Sequence, residues 1–345
     1  MKKLKDLIRP NIWNLKPYTC ARNDYVGEAR VWLDANENSR IQGYNRYPDP
    51  LQENVKRRLG KYRGVEANRI FLGVGSDECI DMAYRVFCRP RIDNVVAIEP
   101  TYGMYKVCAD INDVEYRRVG LGENFTLDVE ALLAACDEFT KIIWICSPNN
   151  PTANAFDCSQ ICEVASRFDG IIMVDEAYVD FSDKGSMLSM LDAFPGLVVM
   201  QTFSKAWASA AIRLGIAYAS PEIIDVFNKV KYPYNINLLT QHRALNVLEN
   251  MNEVEQAVKE IVMARLQLAK QLDELDVVKQ VYPSDANFLL VEVADADKVY
   301  KYLCSCGVIV RNRNSVHLCG NCVRITVGTV EENSILINEL KKYVS

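Results

Sequence analysis

No stretch of this 345-residue chain approaches the roughly 18 apolar residues that a bilayer-spanning helix needs. A large charge of one sign is missing too: 40 Lys and Arg stand against 45 Asp and Glu, a net of −5. The basic residues are spread along the chain, so nothing supplies the field that nucleic acid or an anionic membrane surface attracts. Internal repeats, low-complexity segments and Pro- or Ser-rich linkers are also absent. The start, Met1-Lys2-Lys3-Leu4-Lys5, is basic like the head of a signal peptide, but Arg9, Pro10, Asn11 and Asn14 interrupt any apolar core at once. These absences predict a cytoplasmic protein with neither nucleic acid nor membrane as partner.

Cysteine is plentiful, at 12 residues. In a cytoplasmic chain these read as reduced thiols and not as a disulfide framework. Cys79, Cys88, Cys108, Cys146 and Cys162 sit in apolar runs, where a free thiol packs as a small hydrophobe. Cys304-x-Cys306 and Cys319-x-x-Cys322, with His317 nearby, look superficially like a zinc site. The first pair is spaced too tightly, and the pairs fall in helix-like and strand-like stretches. Core or surface thiols are the preferred reading, and no metal is expected.

What is present is a mixture of 49% hydrophobic and 25% charged residues, ordinary for a globular protein, at a length that suggests about two domains. Between residues 50 and 220, apolar runs alternate with amphipathic stretches. Ile70–Val74, Val95–Ile98, Ile142–Cys146, Ile171–Val174, Leu197–Gln201 and Leu214–Ala217 read as strands; Asp77–Phe87, Asp128–Cys136 and Ser159–Phe168 read as helices. This alternation predicts an α/β fold with a mostly parallel sheet sandwiched by helices. Beyond Pro221, one or two helices over Leu238–Leu275 precede a strand (Asn287–Val293), a helix (Ala296–Leu303), strands at Val308–Val310 and Val323–Val327, and a helix (Glu331–Lys342). The expected division is an N-terminal arm, 1–35, packing on a small domain or a partner subunit, a large domain, 36–237, and a smaller α/β domain, 238–345.

In an open parallel sheet, ligands bind beyond the carboxyl ends of the strands. Here those ends lead into Gly75-Ser76-Asp77, Thr101-Tyr102-Gly103, Ser147-Pro148-Asn149-Asn150, Asp175-Glu176-Ala177-Tyr178 and Thr202-Phe203-Ser204-Lys205. Lys205 is succeeded by small and apolar residues, and desolvation turns an ammonium into a neutral, nucleophilic amine. A surface lysine at a helix start is the plainer alternative. Asp175, directly after Ile-Ile-Met-Val, is costly to bury without a cationic partner, such as a protonated ring nitrogen. It could equally be a helix N-cap, although a cap leaves Tyr178 and Asn150 unexplained. Gly75, Ser76 and Asp77 open a helix where backbone N–H groups favour a phosphate. Thr202, Ser204 and Arg213 can add hydroxyls and charge to the same anion. A dinucleotide site is excluded, because Glu78 stands where the third glycine of that motif belongs.

Taken together, Ser147-Pro148-Asn149-Asn150-Pro151-Thr152, Val174-Asp175-Glu176-Ala177-Tyr178, Ser204-Lys205-Ala206 with Arg213-Leu214-Gly215, and Val323-Arg324-Ile325-Thr326-Val327-Gly328 resemble the motifs of the fold-type I aminotransferases. Within that family the chain resembles the histidinol-phosphate aminotransferases, through Pro17-Tyr18, Leu33-Asp34-Ala35-Asn36-Glu37-Asn38, Tyr47-Pro48 and Pro100-Thr101-Tyr102-Gly103-Met104-Tyr105. The resemblance implies pyridoxal 5′-phosphate as cofactor and Lys205 as the Schiff-base lysine and proton shuttle. It places Asp175 at the ring nitrogen, Asn150 and Tyr178 at the ring oxygen, and Tyr102 against the ring face. Gly75, Ser76, Asp77, Thr202, Ser204 and Arg213 then line the cofactor phosphate. Tyr47 reaches the phosphate in the neighbouring subunit, so a homodimer with a shared site is implied. One departure is Ala153, where the family usually has Gly; a small local adjustment is expected if that Gly served a positive φ.

The implied reaction converts imidazole-acetol phosphate and glutamate into histidinol phosphate and 2-oxoglutarate. One site must then accept a phosphate monoester without an α-carboxylate as well as a dicarboxylate. Guanidinium groups suit both, so Arg324 and Arg311 are the candidates, with Tyr18 and Asn36 completing the substrate side. An aromatic aminotransferase or a threonine-phosphate decarboxylase shares the fold and cofactor. A cofactor-sensing binding module is a rival of another class, but no helix-turn-helix segment precedes the fold.

Overall fold

The computed structural model describes residues 3–25, 27 and 29–343. Seven strands form the main sheet: β1 (Ile70–Val74), β2 (Asn94–Glu99), β3 (Glu115–Gly120), β4 (Thr140–Cys146), β5 (Ile171–Asp175), β6 (Leu197–Thr202) and β7 (Leu214–Tyr218), in the order β1-β7-β6-β5-β4-β2-β3. Every pairing from β3 across to β6 is parallel, whereas β7 runs antiparallel to both β6 and β1. The mostly parallel sheet read from the sequence is therefore correct, with a single reversed strand.

The central strands are apolar at every position because both faces are covered. Along β4 and β5, Ile143, Ile145, Ile172 and Val174 point into one core, and Ile142, Trp144, Ile171 and Met173 into the other. At about 1.5–3 kcal/mol for each large side chain taken out of water, this double layer fixes the register. A one-residue slip would exchange the two packed faces and bring the strand ends out of line. β3 escaped the sequence reading because Glu-Tyr-Arg-Arg-Val-Gly carries charge along an edge, as edge strands do.

A second, antiparallel sheet holds β8 (Val278–Val281), β9 (Phe288–Val293), β10 (Arg311–Asn312) and β11 (Cys322–Thr326), in the order β10-β11-β9-β8. One face, with Leu289, Val291, Val323 and Ile325, packs on the helices Met251–Asp273, Ala296–Ser305 and Val330–Lys342. The other face, with Phe288, Leu290 and Cys322, joins the core of the large sheet. The long periodic stretch after residue 238 is two helices, Leu238–Glu249 and Met251–Asp273, broken at Asn250. The strand expected at Val308–Val310 is corrected to Arg311–Asn312. Val308 and Val310 pack against the small core without joining the ladder.

The expected packing of the N-terminal arm also needs correction. Leu7 and Ile8 are buried in the core on one face of the large sheet, beside the helices Gly75–Phe87 and Pro221–Val230. The Arg9 N–H donates to the Val86 carbonyl at 2.9 Å. This part of the arm thus packs on the large sheet's own layer.

Candidate functional site

A cavity of about 730 Å3 opens where the carboxyl ends of β1, β2, β4, β5 and β6 meet the inner face of the small sheet. The large sheet contributes Ser76 and Asp77 after β1, Tyr102 after β2, Asn150 after β4, Asp175 and Tyr178 from β5, and Thr202, Ser204 and Lys205 from β6. Arg213 belongs to the same rim although it precedes its strand. β7 is reversed, so its start lies level with the ends of the others. Arg311 and Arg324 come from the small sheet.

Asp175 is 3% exposed and closes β5. Tyr105 donates to its Oδ2 at 2.7 Å and the Ala177 N–H to its Oδ1 at 3.0 Å. Burial raises this carboxyl above its ordinary range, against the pull of those two hydrogen bonds. Among the described residues no ion pair reaches it. A buried carboxylate with donors on one side and no ion-pair contact fits a protonated ring nitrogen, the partner that the sequence reading assigned to it.

Lys205 points its Nζ over the ring of Tyr178, 5.6 Å from the centroid. Burial and the nearby Arg324 and Arg213 lower its amine below the ordinary lysine value, opposed by Asp175. The segment bearing it is pinned at both ends, since the Phe203 N–H donates to the Leu214 carbonyl at 3.0 Å. Thr202 Oγ1 donates to Ser204 Oγ at 3.0 Å and accepts from the Ser204 N–H at 3.1 Å.

The residues expected at the cofactor phosphate are tied to one another. Asp77 Oδ1 accepts from the Tyr102 hydroxyl at 3.1 Å, and Oδ2 from Arg213 Nη2 at 3.4 Å. Gly75 adopts φ +70°, and a Cβ there would meet the Arg213 guanidinium at 2.6 Å. The glycine is required both for its backbone angle and for the room it leaves. Gly215 is equally constrained, because a Cβ would fall 2.3 Å from the Ser76 backbone nitrogen.

Asn150 is 8% exposed, and its Oδ1 accepts from Arg324 Nη1 at 2.5 Å. Arg324 lies over the Phe288 ring, 5.2 Å from the centroid, and burial lowers its guanidinium from the ordinary arginine value. Burial likewise raises the hydroxyls of Tyr178 and Tyr102, helped at Tyr102 by Asp77. Both phenols therefore stay protonated and able to donate.

Ala153, the departure from the family pattern, keeps φ +68° and is fully buried. The left-handed angle survives the added methyl, with Ala153 N–H donating to Asn149 and its carbonyl accepting from the Asp285 N–H, both at 2.8 Å.

Of the expected site residues, Gly75 sits behind the cavity lining and three others lie outside the cavity altogether. Tyr47 and Asn36 line a separate hollow of about 440 Å3, with Tyr47 stacked on Tyr234 at 4.5 Å. Glu37 organises that hollow: its carboxylate accepts from Arg22, Arg46 and the Tyr47 N–H, each at 2.6 Å. These donors hold its pKa down at about 2, against the opposing effect of burial. Tyr18 is 73% exposed and lines neither space. Cys319 and Cys322 are buried, Cys304 is half-buried and Cys306 is exposed; all four are free thiols.

Two residues that shape the site, Tyr105 behind Asp175 and Arg313 in the cavity lining, were not singled out from the sequence. Tyr105 was legible in principle, standing three positions after Tyr102 in the first turn of the helix Met104–Ile111. Arg313 was too, standing two positions after Arg311 and hence on the same face of a strand.

The fold and the site together define an aminotransferase: the model of the family Aminotransferase class I and II matches residues 20–340, and the chain belongs to that family. Within it, the chain is similar to the histidinol-phosphate aminotransferase of Bacteroides fragilis, with 56% identity over 344 residues, 99% of this chain and 100% of that one. The solved histidinol-phosphate aminotransferase of Clostridium acetobutylicum superposes with a TM-score of 0.80 at 23% identity, covering 87% of this chain and 90% of that one. That of Sinorhizobium meliloti, in complex with pyridoxal-5′-phosphate, gives 0.79 at 20% identity, covering 86% and 82%.

Proposed function

We propose that this protein is a pyridoxal-phosphate-dependent aminotransferase that interconverts histidinol phosphate and 2-oxoglutarate with imidazole-acetol phosphate and glutamate. The single observation that carries the reading is one cavity bringing together Lys205, Asp175 and an arginine wall free of carboxylates. The identity to relatives bearing that activity points the same way.

The bound cofactor supplies an aldehyde for covalent capture of the substrate amine and a cationic ring that accepts electrons. The chain does the rest. Asp175 holds the proton on the ring nitrogen, and Asn150 and Tyr178 orient the ring through its phenolic oxygen. Ser76, Thr202, Ser204, Arg213 and the Gly75 backbone hold the phosphate. With the cofactor bound, Lys205 Nζ would carry the proton between the substrate Cα and C4′ of the cofactor. Burial and Arg324 lower its amine below the ordinary lysine value, which favours the neutral base. Arg324 and Arg311 take the substrate's anionic groups, and Tyr18 and Asn36 add to that end.

The reading includes a cytoplasmic homodimer built of a large cofactor-binding part, 36–237, and a small part, 238–345. Tyr47 is half-exposed and lies outside its own chain's cavity, which supports its service to the neighbouring subunit. Among the described residues no helix is long and apolar enough to cross a membrane.

The test is the visible absorbance of the cofactor-loaded protein, monitored after adding histidinol phosphate or, separately, phenylalanine. Bleaching to the amine form that is faster with histidinol phosphate supports the reading. Bleaching only with phenylalanine transfers the function to an aromatic aminotransferase. Absence of any absorbance from bound cofactor would leave only a binding module.

A further inference from the structure

The small sheet presents three arginines on one face, and one of them has no assigned task. The register of β10 against β11 sets Arg311 directly opposite Arg324. Like charges in that relation repel. The ladder continues for one more residue, since the Arg313 N–H donates to the Cys322 carbonyl at 2.9 Å. Side chains alternate along a strand, so Arg313 emerges on the same side as Arg311, and all three line the cavity.

Nothing acidic balances them. Among the described residues none of the three enters an ion pair. Arg313 is half-buried, and its Nε is shut off from water with no hydrogen-bond partner. A buried donor left without an acceptor is costly, and here it also lies close to two other cations. Burial, with Arg324 and Arg311 adding to it, lowers the Arg313 guanidinium to about 10. A wall of this kind gains stability when an anion with several acceptor oxygens settles on it.

We propose that Arg313, together with Arg311, grips the phosphate monoester of the amino substrate and so sets the preference for phosphorylated over carboxylate or aromatic substrates. This rests on the aminotransferase reading above and refines its substrate end. A carboxylate offers two oxygens and is satisfied by one guanidinium fork. A phosphate monoester offers three terminal oxygens and, above its second pKa near 6, two negative charges. Arg324, already hydrogen-bonded to Asn150, serves the inner position. Arg311 and Arg313 are left for the outer one, and two forks there exceed what glutamate can use.

The experiment compares the holoenzyme with its Arg313→Gln and Arg313→Lys variants in separate half-reactions with histidinol phosphate and with glutamate. Inorganic phosphate serves as competing probe. In Arg313→Gln the apparent affinity for histidinol phosphate should fall by roughly tenfold or more beyond any change for glutamate, with inhibition by inorganic phosphate weakened in step. Arg313→Lys, which keeps the charge but not the fork, should recover part of the loss and controls for misfolding. Equal losses for both substrates, or none for either, would overturn the assignment. If the wild type does not convert histidinol phosphate, the functional reading fails instead. Arg313 is then judged on inhibition of the glutamate half-reaction by inorganic phosphate: weaker in Arg313→Gln supports the anion site, and unchanged removes it.

Discussion

Tyr105 donates its hydroxyl hydrogen to Oδ2 of Asp175 at 2.7 Å, from a ring stacked on Trp144 at 4.7 Å. The acid expected at the cofactor ring is thereby held from behind by a phenol that never faces the cavity's solvent. Burial pushes the Asp175 carboxyl upward, and this hydrogen bond pulls it back. The balance decides how far into the acid range Asp175 stays charged.

Replacing Tyr105 with Phe keeps the stack and removes the hydrogen bond. The Asp175 pKa then rises, because the charged form loses a donor. Activity that needs the carboxylate should fail at a higher pH than in wild type as the solution is acidified. A hydrogen bond to a charged group is worth about 1.5–3 kcal/mol, so turnover near neutrality should drop by roughly tenfold or more. The acid limb of the pH–rate profile and the cofactor dissociation constant measure this; an unmoved acid limb would deny Tyr105 its part.

Lys205→Ala should retain the fold and the cavity but lose turnover by at least about 10²–10⁴, the usual contribution of a positioned proton carrier. The visible absorbance of lysine-bound cofactor should vanish with it. Asp175→Asn should still take up the cofactor yet transaminate poorly. Normal rates in either variant contradict the roles given to them.

The lowered amine of Lys205 also has a pH signature. In protein stripped of cofactor, the neutral amine accumulates at a lower pH than for an ordinary lysine, so the rate of cofactor attachment should rise with pH through a midpoint below about 10.4. Burial comes first among the causes of the shift, and Arg324 is the cation that adds most to it. Arg324→Gln should therefore move that midpoint upward, and stopped-flow absorbance across pH reads the shift.

Mixed dimers made from Tyr47→Phe and Lys205→Ala chains probe the shared site. If Tyr47 serves the neighbouring subunit, half of the sites in a heterodimer carry both defects and half carry neither, so activity returns on mixing. If Tyr47 serves its own chain, every site keeps one defect and mixing restores nothing.

Ala153→Gly should change stability by less than about 1 kcal/mol. Relief of a left-handed alanine is worth about 1–2 kcal/mol. It is offset by about 0.5–1 kcal/mol of glycine backbone entropy and about 0.8 kcal/mol for a buried methyl. Urea melts of the two proteins give the difference directly.

Much of the architecture is legible in the sequence because the central strands are buried on both faces and are therefore apolar throughout. Lys205, Asp175, Asn150 and Tyr178 stand just beyond the carboxyl ends of those apolar runs, and that position alone marks them as candidates. The same rule fails for Arg213, which precedes β7; only the resemblance of its motif brought it in. β3 and β10 were missed or misplaced because their residues are charged. In β10 the ladder begins where the apolar pair Val308 and Val310 ends, and pairing is decided by the partner Arg324, which a local pattern does not see. Tyr105 and Arg313 were overlooked because each looks, one residue at a time, like core or solvated surface. Tyr47 and Tyr18 make no contribution to the cavity of a single chain.

The reversal of β7 has a mechanical consequence. Thr202 and Gly215 are neighbours in the sheet, so the segment from 203 to 213 leaves the rim and comes back to it as a closed handle. Lys205 and Arg213 ride on that handle, fastened to the large sheet at both ends. Arg311, Arg313 and Arg324 ride on the other sheet. Any rocking of one sheet against the other alters the distance from nucleophile to arginine wall while leaving the distance from nucleophile to phosphate anchor fixed. A cofactor held by Lys205 and Arg213 would keep to the large sheet's frame, and a substrate gripped by the arginines would move with the small sheet.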